Sequence, residues 1–240
     1  DEGSFIGGIY GIKDYSFAGL LQPFSSISAF PYVFPYFQFL GIKLFGMGLI
    51  GVRVPSAIFG TLTVVALYFL ARTLYDRKTA ILAALFLATF PPHLQFSRIG
   101  INNIADPFFG TLALAFLMSG FRTRRRSDFV LAGVMLGFTQ YFYEGGRLMF
   151  IPLGLVTLVG CILFAQISNP PKLLSPWGRV WLHVRWSYKN ALLMLIALVI
   201  IALPIYLTLA GMQRPALARF ANNGLGLGAA YWQTILSETY

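Results

Sequence analysis

The chain has 240 residues, of which 57% are hydrophobic and only 11% are charged. A soluble globular domain carries about 25% charge, so this composition excludes that class; apolar runs of about 18 residues or more indicate a polytopic membrane protein instead. The formal net charge is +10, but the cations cluster in short loops between apolar runs, which is the pattern of membrane orientation and not of nucleic-acid binding.

In chain order, residues 1–32 open on two adjacent carboxylates, Asp1-Glu2, and continue with scattered glycines, Lys13-Asp14 and the run Ser25-Ser26-Ile27-Ser28. This stretch is too polar to span a bilayer and predicts a loop with short interfacial helices. Residues 33–46 are apolar but only 14 long, and Pro35, Gln38 and Lys43 interrupt them. A crossing needs about 20 residues, so the segment is expected to lie in the interface, making 1–52 an external loop. The chain begins inside this loop and without Met, and it is expected to be part of a longer protein with at least one helix before Asp1.

Six spans are expected over 53–75, 79–97, 104–121, 129–144, 147–166 and 190–211, a transmembrane domain of 53–211. The fourth has 16 residues and forms a hairpin with the fifth through Glu144-Gly145-Gly146-Arg147, where charge and paired glycines break the apolar run. Pro204 is expected to kink the sixth. The basic stretch 167–189, with Trp177, Trp181 and Trp186 interleaved, reads as an amphipathic segment on anionic membrane lipid. Residues 212–240 read as a further external loop. Cys161 is the single cysteine, so no intrachain disulfide is possible.

Orientation follows from Lys and Arg. One set of loops holds Arg72, Arg77, Lys78, Arg122, Arg124, Arg125, Arg126, Lys172, Arg179, Arg185 and Lys189 against only Asp76 and Asp128. The other face is nearly balanced. The positive-inside rule makes the first set cytoplasmic, and an interfacial 33–46 keeps Arg122–Arg126 on that side.

This topology collects Asp1, Glu2, Asp14, Arg98, Asn102, Asn103, Asp106, Tyr143, Glu144 and Arg147 on the outer face, from three separate loops or helix ends. An unpaired charge deep in a bilayer costs about 2.5–3.5 kcal/mol on insertion scales, so such groups face a wet cavity or each other. A carboxylate can take a proton from an incoming hydroxyl or amine, and arginine can hold a phosphate and stabilise it as it leaves. Sugar transfer from a lipid phosphate requires both. Each residue also has a plainer role. Asp1-Glu2 can be a solvated loop start, Arg98 a snorkelling anchor, Glu144 and Arg147 a local ion pair, and Asn102-Asn103 a helix N-cap. His93 and His183 fall on opposite faces and make no metal site. Gly224-Leu225-Gly226-Leu227-Gly228 follows no strand and is not a dinucleotide loop. No cofactor or metal is expected.

The order of segments over residues 1–166 resembles the GT-C fold glycosyltransferases that use polyprenyl-phosphate sugars, in the branch of the protein O-mannosyltransferases and the aminoarabinose transferase of lipid A. The resemblance is carried by Asp1-Glu2, an interfacial helix ending in Phe45-Gly46, Val52-Arg53-Val54-Pro55-Ser56-Ala57, Phe59-Gly60-Thr61-Leu62-Thr63-Val64, Ala71-Arg72-Thr73-Leu74-Tyr75, Phe96-Ser97-Arg98, and Tyr141-Phe142-Tyr143 with Arg147. It implies an all-α integral membrane bundle and an inverting transfer at the periplasmic or extracellular face of the plasma (inner) membrane. The donor would be a polyprenyl-phosphate sugar and the acceptor a protein or lipid. Asp1 would be the general base and Glu2 would assist it. Arg98, Arg147, Asn102, Tyr143 and Glu144 would bind substrate. One departure stands out: the family opens its interfacial helix with His or Lys before Pro-Pro-Leu, whereas this chain has Phe30-Pro31-Tyr32-Val33. Lys43 or Arg53 would then supply the missing cation. Competing readings are a lipid or solute transporter or flippase, which would carry paired broken helices at mid-membrane, and a non-catalytic membrane subunit.

Overall fold

The computed structural model describes residues 2–10, 12, 16–23, 31–164 and 176–213, with backbone alone for 163–164, 176–184 and part of 2–10. The described residues form ten α-helices in the order α1 Glu2–Tyr10, α2 Phe17–Leu21, α3 Val33–Phe45, α4 Leu49–Leu74, α5 Arg77–Thr89, α6 Pro91–Arg98, α7 Ala105–Thr123, α8 Arg126–Phe138, α9 Glu144–Phe164 and α10 Pro176–Gly211. A 3-10 turn, Asn102–Ile104, leads into α7. The described residues contain no strand, only an isolated bridge between Pro23 and Pro31. The protein is an all-α polytopic membrane protein, as its composition predicts.

Among the described residues, four stretches are long and apolar enough to cross a bilayer: Leu49–Leu74, Asn102–Thr123, Glu144–Ile162 and Arg185–Gly211. A fifth crossing is formed if α5 and α6 count as one span, bent by 59°. The bend falls at Phe90, where Pro91 and Pro92 follow, and proline at the first helical position suits a new helix start. α3 is a separate apolar helix of 13 residues, shorter than a crossing needs. The expected fourth span differs. α8 has 13 residues and stops at Phe138, a length of about 20 Å against a hydrocarbon core of about 30 Å. The remaining residues, 139–143, form a buried turn inside the bundle. α10 continues through Pro204.

Lipid offers no partner for backbone or hydroxyl groups, so they are satisfied within the helices. Thr61, Thr63, Thr73, Thr157 and Thr208 each donate to the carbonyl four residues earlier. Small residues set the closest helix contacts. Gly133 and Gly137, four residues apart on α8, lie directly against Met194 and Ile201 of α10.

Two cores result. One is aromatic: Phe59 meets Phe37 edge-on at 5.5 Å and Phe142 at 5.7 Å, while Phe142 stacks on Phe109 at 5.2 Å. The other lies toward the arginine-rich turns, where Phe129 meets Phe121 at 5.1 Å and Trp186 at 5.5 Å. The aromatic core supports the segment 99–104. Gln38, a polar interruption in the sequence of α3, is buried and braces that segment by donating to the Gly100 carbonyl at 2.9 Å and to Val52 at 3.3 Å.

Candidate functional site

The buried turn 139–143 and the first turn of α9 bring charge into the bundle. Asp106 in the first turn of α7 is 3% exposed, Glu144 is 4% exposed and Arg147 is 6% exposed. The glycine pair before Arg147 explains how they meet. A Cβ on Gly146 would run into the Asp106 carboxylate, so only glycine lets the start of α9 close on it. Neither Asp106 oxygen has a hydrogen-bond partner among the described residues. The helix N-terminus beside it contributes a favourable partial positive charge, and the guanidinium of Arg147 feels Tyr206, Glu144 and Asp106 electrostatically.

Arg147 is held in one orientation. Its Nε and Nη2 both donate to the Gln140 carbonyl, at 3.0 and 2.8 Å. The Gln140 side chain accepts from the Tyr206 hydroxyl at 2.8 Å and donates to Thr139 Oγ1 at 2.8 Å. Tyr141 donates to the Ile201 carbonyl at 2.5 Å. The turn is therefore pinned to α10 from two tyrosines.

Two cavities flank α9. One of about 590 Å³ has Asp106, Asn103, Tyr143, Gly146 and His93 on its wall, and otherwise mostly apolar side chains of α4–α7 and α9, with Thr63 and Thr111 among them. Another of about 380 Å³ lies between the buried turn, α9 and α10, with Arg147, Gln140 and Tyr206 at its polar end and Leu148, Ile151 and Leu198 along it. The first turn of α9 thus stands between a carboxylate chamber and a guanidinium chamber. Both are of the size of small-molecule sites.

Of the residues expected from sequence, Asn102, Tyr143, Glu144 and Arg147 do gather around this turn. Asn102 is not an N-cap; its Nδ2 donates to the Phe142 carbonyl and ties the 3-10 turn to the buried turn. Arg98 is elsewhere: it lines cavities between α4 and α6 that contain neither Asp106 nor Arg147. Asp1 lies outside the described residues, and of Glu2 only the backbone at the start of α1 is described. The catalytic roles expected for both therefore have no geometry to report. Lys43 is exposed and sits over the Phe39 ring at 5.1 Å. Asp106 and Gly146 are noted in the sequence as an outer-face acid and as half of a glycine pair, without a substrate role, whereas Gln140 and Tyr206 are not singled out at all. An acid at the head of an apolar run and a glycine pair beside a charge were the available signals for the first two. Among the described residues no three His, Cys, Asp or Glu side chains converge on a point that could hold a metal. His93 instead contacts the Gly60 carbonyl through Nε2 at 3.1 Å.

Residues 30–207 match the family described as dolichyl-phosphate-mannose-protein mannosyltransferase. The chain belongs to this family. A curated relative, the dolichyl-phosphooligosaccharide-protein glycotransferase 2 of Pyrococcus furiosus, is 29% identical over 182 residues, covering 72% of the chain. The chain spans only 23% of that relative's length. No solved structure matches. Within the family match, the aromatic core, the buried turn and the charged first turn of α9 are all included.

Proposed function

We propose that this mannosyltransferase-family protein is a membrane glycosyltransferase that moves a sugar from a polyprenyl-phosphate donor to a hydroxyl or amine of a protein or lipid acceptor. The reaction takes place at the outer, periplasmic or extracellular, face of the plasma (inner) membrane, with inversion. The observation that carries the reading is the pair of chambers beside the first turn of α9, one with an unpartnered buried carboxylate and one with an oriented guanidinium.

In this reading Asp1 is the general base and Glu2 assists it. Asp1 removes the acceptor proton as the acceptor oxygen or nitrogen bonds to the anomeric carbon. The bond from that carbon to the phosphate oxygen breaks, and its electron pair leaves with the polyprenyl phosphate. Attack opposite the leaving group inverts the centre. Arg147 stabilises the departing phosphate, and its clamp on the Gln140 carbonyl fixes its direction before substrate arrives. Asp106 and Tyr143 offer acceptors and a donor to sugar hydroxyls, while Asn102 and Glu144 hold the turns that carry them. Apolar walls running from both chambers suit a lipid carrier that enters from the bilayer. A transporter would instead need two broken helices in matching positions, and the described residues contain one bent pair.

The test is transfer of label from a polyprenyl-phosphate sugar by the intact protein in lipid. Asp1→Asn is expected to lower transfer by about 10²–10⁴-fold, the range for a lost general base, with normal membrane expression. Neither transfer nor donor hydrolysis by wild type across several sugars would sink the reading.

A further inference from the structure

Tyr206 is exposed near the end of α10, inside the stretch Arg185–Gly211 that is long and apolar enough to cross a bilayer. A phenylalanine would suit an apolar setting, whereas a phenol away from water needs a partner. A tyrosine near the end of a span often serves as an interfacial anchor. An anchor points its hydroxyl at the headgroups. This hydroxyl turns inward instead and donates to Gln140 Oε1 at 2.8 Å. Pro204, two residues before it, offers no N–H to the Ile200 carbonyl, which loosens α10 beside the bond.

Gln140 passes the bond on. It is 1% exposed, and its Nε2 donates to Thr139 Oγ1 at 2.8 Å and to the Leu136 carbonyl at 3.3 Å. Its side chain is thereby held from α8 on one side and from α10 on the other. Its own N–H donates to the Gly137 carbonyl at 3.1 Å, which gives the turn its shape and ties it to α8. Its carbonyl receives Nε and Nη2 of Arg147 at 3.0 and 2.8 Å. Glu144 and Asp106 balance the charge of Arg147; the paired bonds to Gln140 set its plane. Tyr141 also ties the turn to α10, but its hydroxyl goes straight to the Ile201 carbonyl and not to Gln140.

We propose that Tyr206 is a positioning residue for sugar transfer: through Gln140, its hydroxyl fixes the direction of the Arg147 guanidinium on the wall of the 380 Å³ cavity that all three residues share. The inference rests on the reading of Arg147 as the group that stabilises the departing phosphate. Charge on that phosphate grows in the transition state, so a misdirected guanidinium costs turnover more than binding.

The experiment follows the Arg147 Nε–H by NMR in the intact protein in lipid, labelled with ¹⁵N at arginine Nε and assigned by its loss in Arg147→Lys. Transfer from a polyprenyl-phosphate sugar is measured beside it as kcat and KM. Tyr206→Phe should lose about tenfold or more of the protection of this N–H from hydrogen exchange, the loss of one charge-assisted bond. It should lower kcat by about 10- to 100-fold, the effect of a displacement of about 1 Å, with KM little changed. Gln140→Met breaks the same link and should do the same, and the double variant should add nothing to either. Tyr141→Phe removes the other tie to α10. It should lower the thermal midpoint as Tyr206→Phe does, yet keep the N–H protected. Full protection in Tyr206→Phe overturns the proposal. So do additive losses in the double variant, or equal loss of protection in Tyr141→Phe, which would make both tyrosines plain ties between elements. The exchange readout needs no substrate. A wild type that transfers no sugar would therefore sink the glycosyltransferase reading, while the exchange rates still decide whether Tyr206 directs Arg147.

Discussion

The two ends of the bundle handle charge in opposite ways. At the arginine-rich end, charges stay in water and acids are used up locally. Asp76 caps α5 through the backbone N–H of Thr79 at 3.1 Å, and Asp128 accepts from Ser119 at 2.7 Å and Thr123 at 3.1 Å. Arg124, in the left-handed conformation at φ 60°, stacks on Trp186 at 4.4 Å. At the other end, Asp106, Glu144 and Arg147 are nearly inaccessible, and Asp106 leaves both oxygens unpartnered. Stability alone favours the first arrangement, since a buried ion pair is often no better than well-packed apolar groups. The second arrangement persists beside two cavities, as expected of a site where polar groups are kept for a ligand.

Arg147→Ala should break the contrast most severely. It leaves Asp106 and Glu144 without their cation, and the Gln140 carbonyl without both of its arginine donors. Removing one member of a buried charged set costs about 3–5 kcal/mol. The thermal midpoint in detergent should fall sharply and transfer should be lost. Arg147→Lys restores charge without the paired donation and should recover stability better than transfer. A midpoint unchanged by Arg147→Ala would mean that the cluster is solvated and that the two ends do not differ.

Gly146→Ala sharpens the comparison at smaller cost. Its Cβ would meet the Asp106 carboxylate, so either α9 or Asp106 must shift. Overpacking of this kind costs about 1–3 kcal/mol, and transfer should fall further than stability accounts for. Gly160→Ala on the same helix, with nothing within 4 Å of its Cβ, is the control and should leave both unchanged. Equal behaviour of the two variants would remove Asp106 from the site.

Much of this was legible in the sequence. Hydropathy gave most of the long spans and the short, separate α3, because these depend on local composition. The break between α5 and α6 was missed, since 79–97 reads as one apolar span although Pro91-Pro92 lie inside it. What depends on distant partners was not readable. The length of α8 was overestimated because Thr139–Tyr143 continue its apolar character, yet that apolar character serves a buried turn. Gln140 gained its role only through Tyr206, 66 residues later. Asp106 looked like one of ten outer-face residues until Gly146 was seen against it. Arg98 shared a face with Arg147 but not a cavity, since α4 and α6 enclose it separately.

The smallest expected effect belongs to the arginine-rich end and concerns pH. Asp76 is fully exposed, and its carboxyl is held below the usual carboxylate range, first by the Thr79 hydroxyl at 2.5 Å and then by the Thr79 backbone N–H. A folded-state pKa below the unfolded one means the ionised cap stabilises above the unfolded value, and this contribution fades as pH falls through the folded value. The gap in midpoint between wild type and Asp76→Ala should therefore be widest near neutrality and narrow on acidification. It should not vanish, because a protonated carboxyl still offers an oxygen to the Thr79 N–H. Asp76→Asn keeps an acceptor without a charge, so its midpoint relative to Asp76→Ala should be flat with pH. The gap should also shrink with added salt, because an exposed charge is screened, whereas the loss caused by Arg147→Ala should not. If salt erased both losses equally, the guanidinium of Arg147 would be as solvated as the carboxylate of Asp76, and burial could no longer be the reason the site end differs.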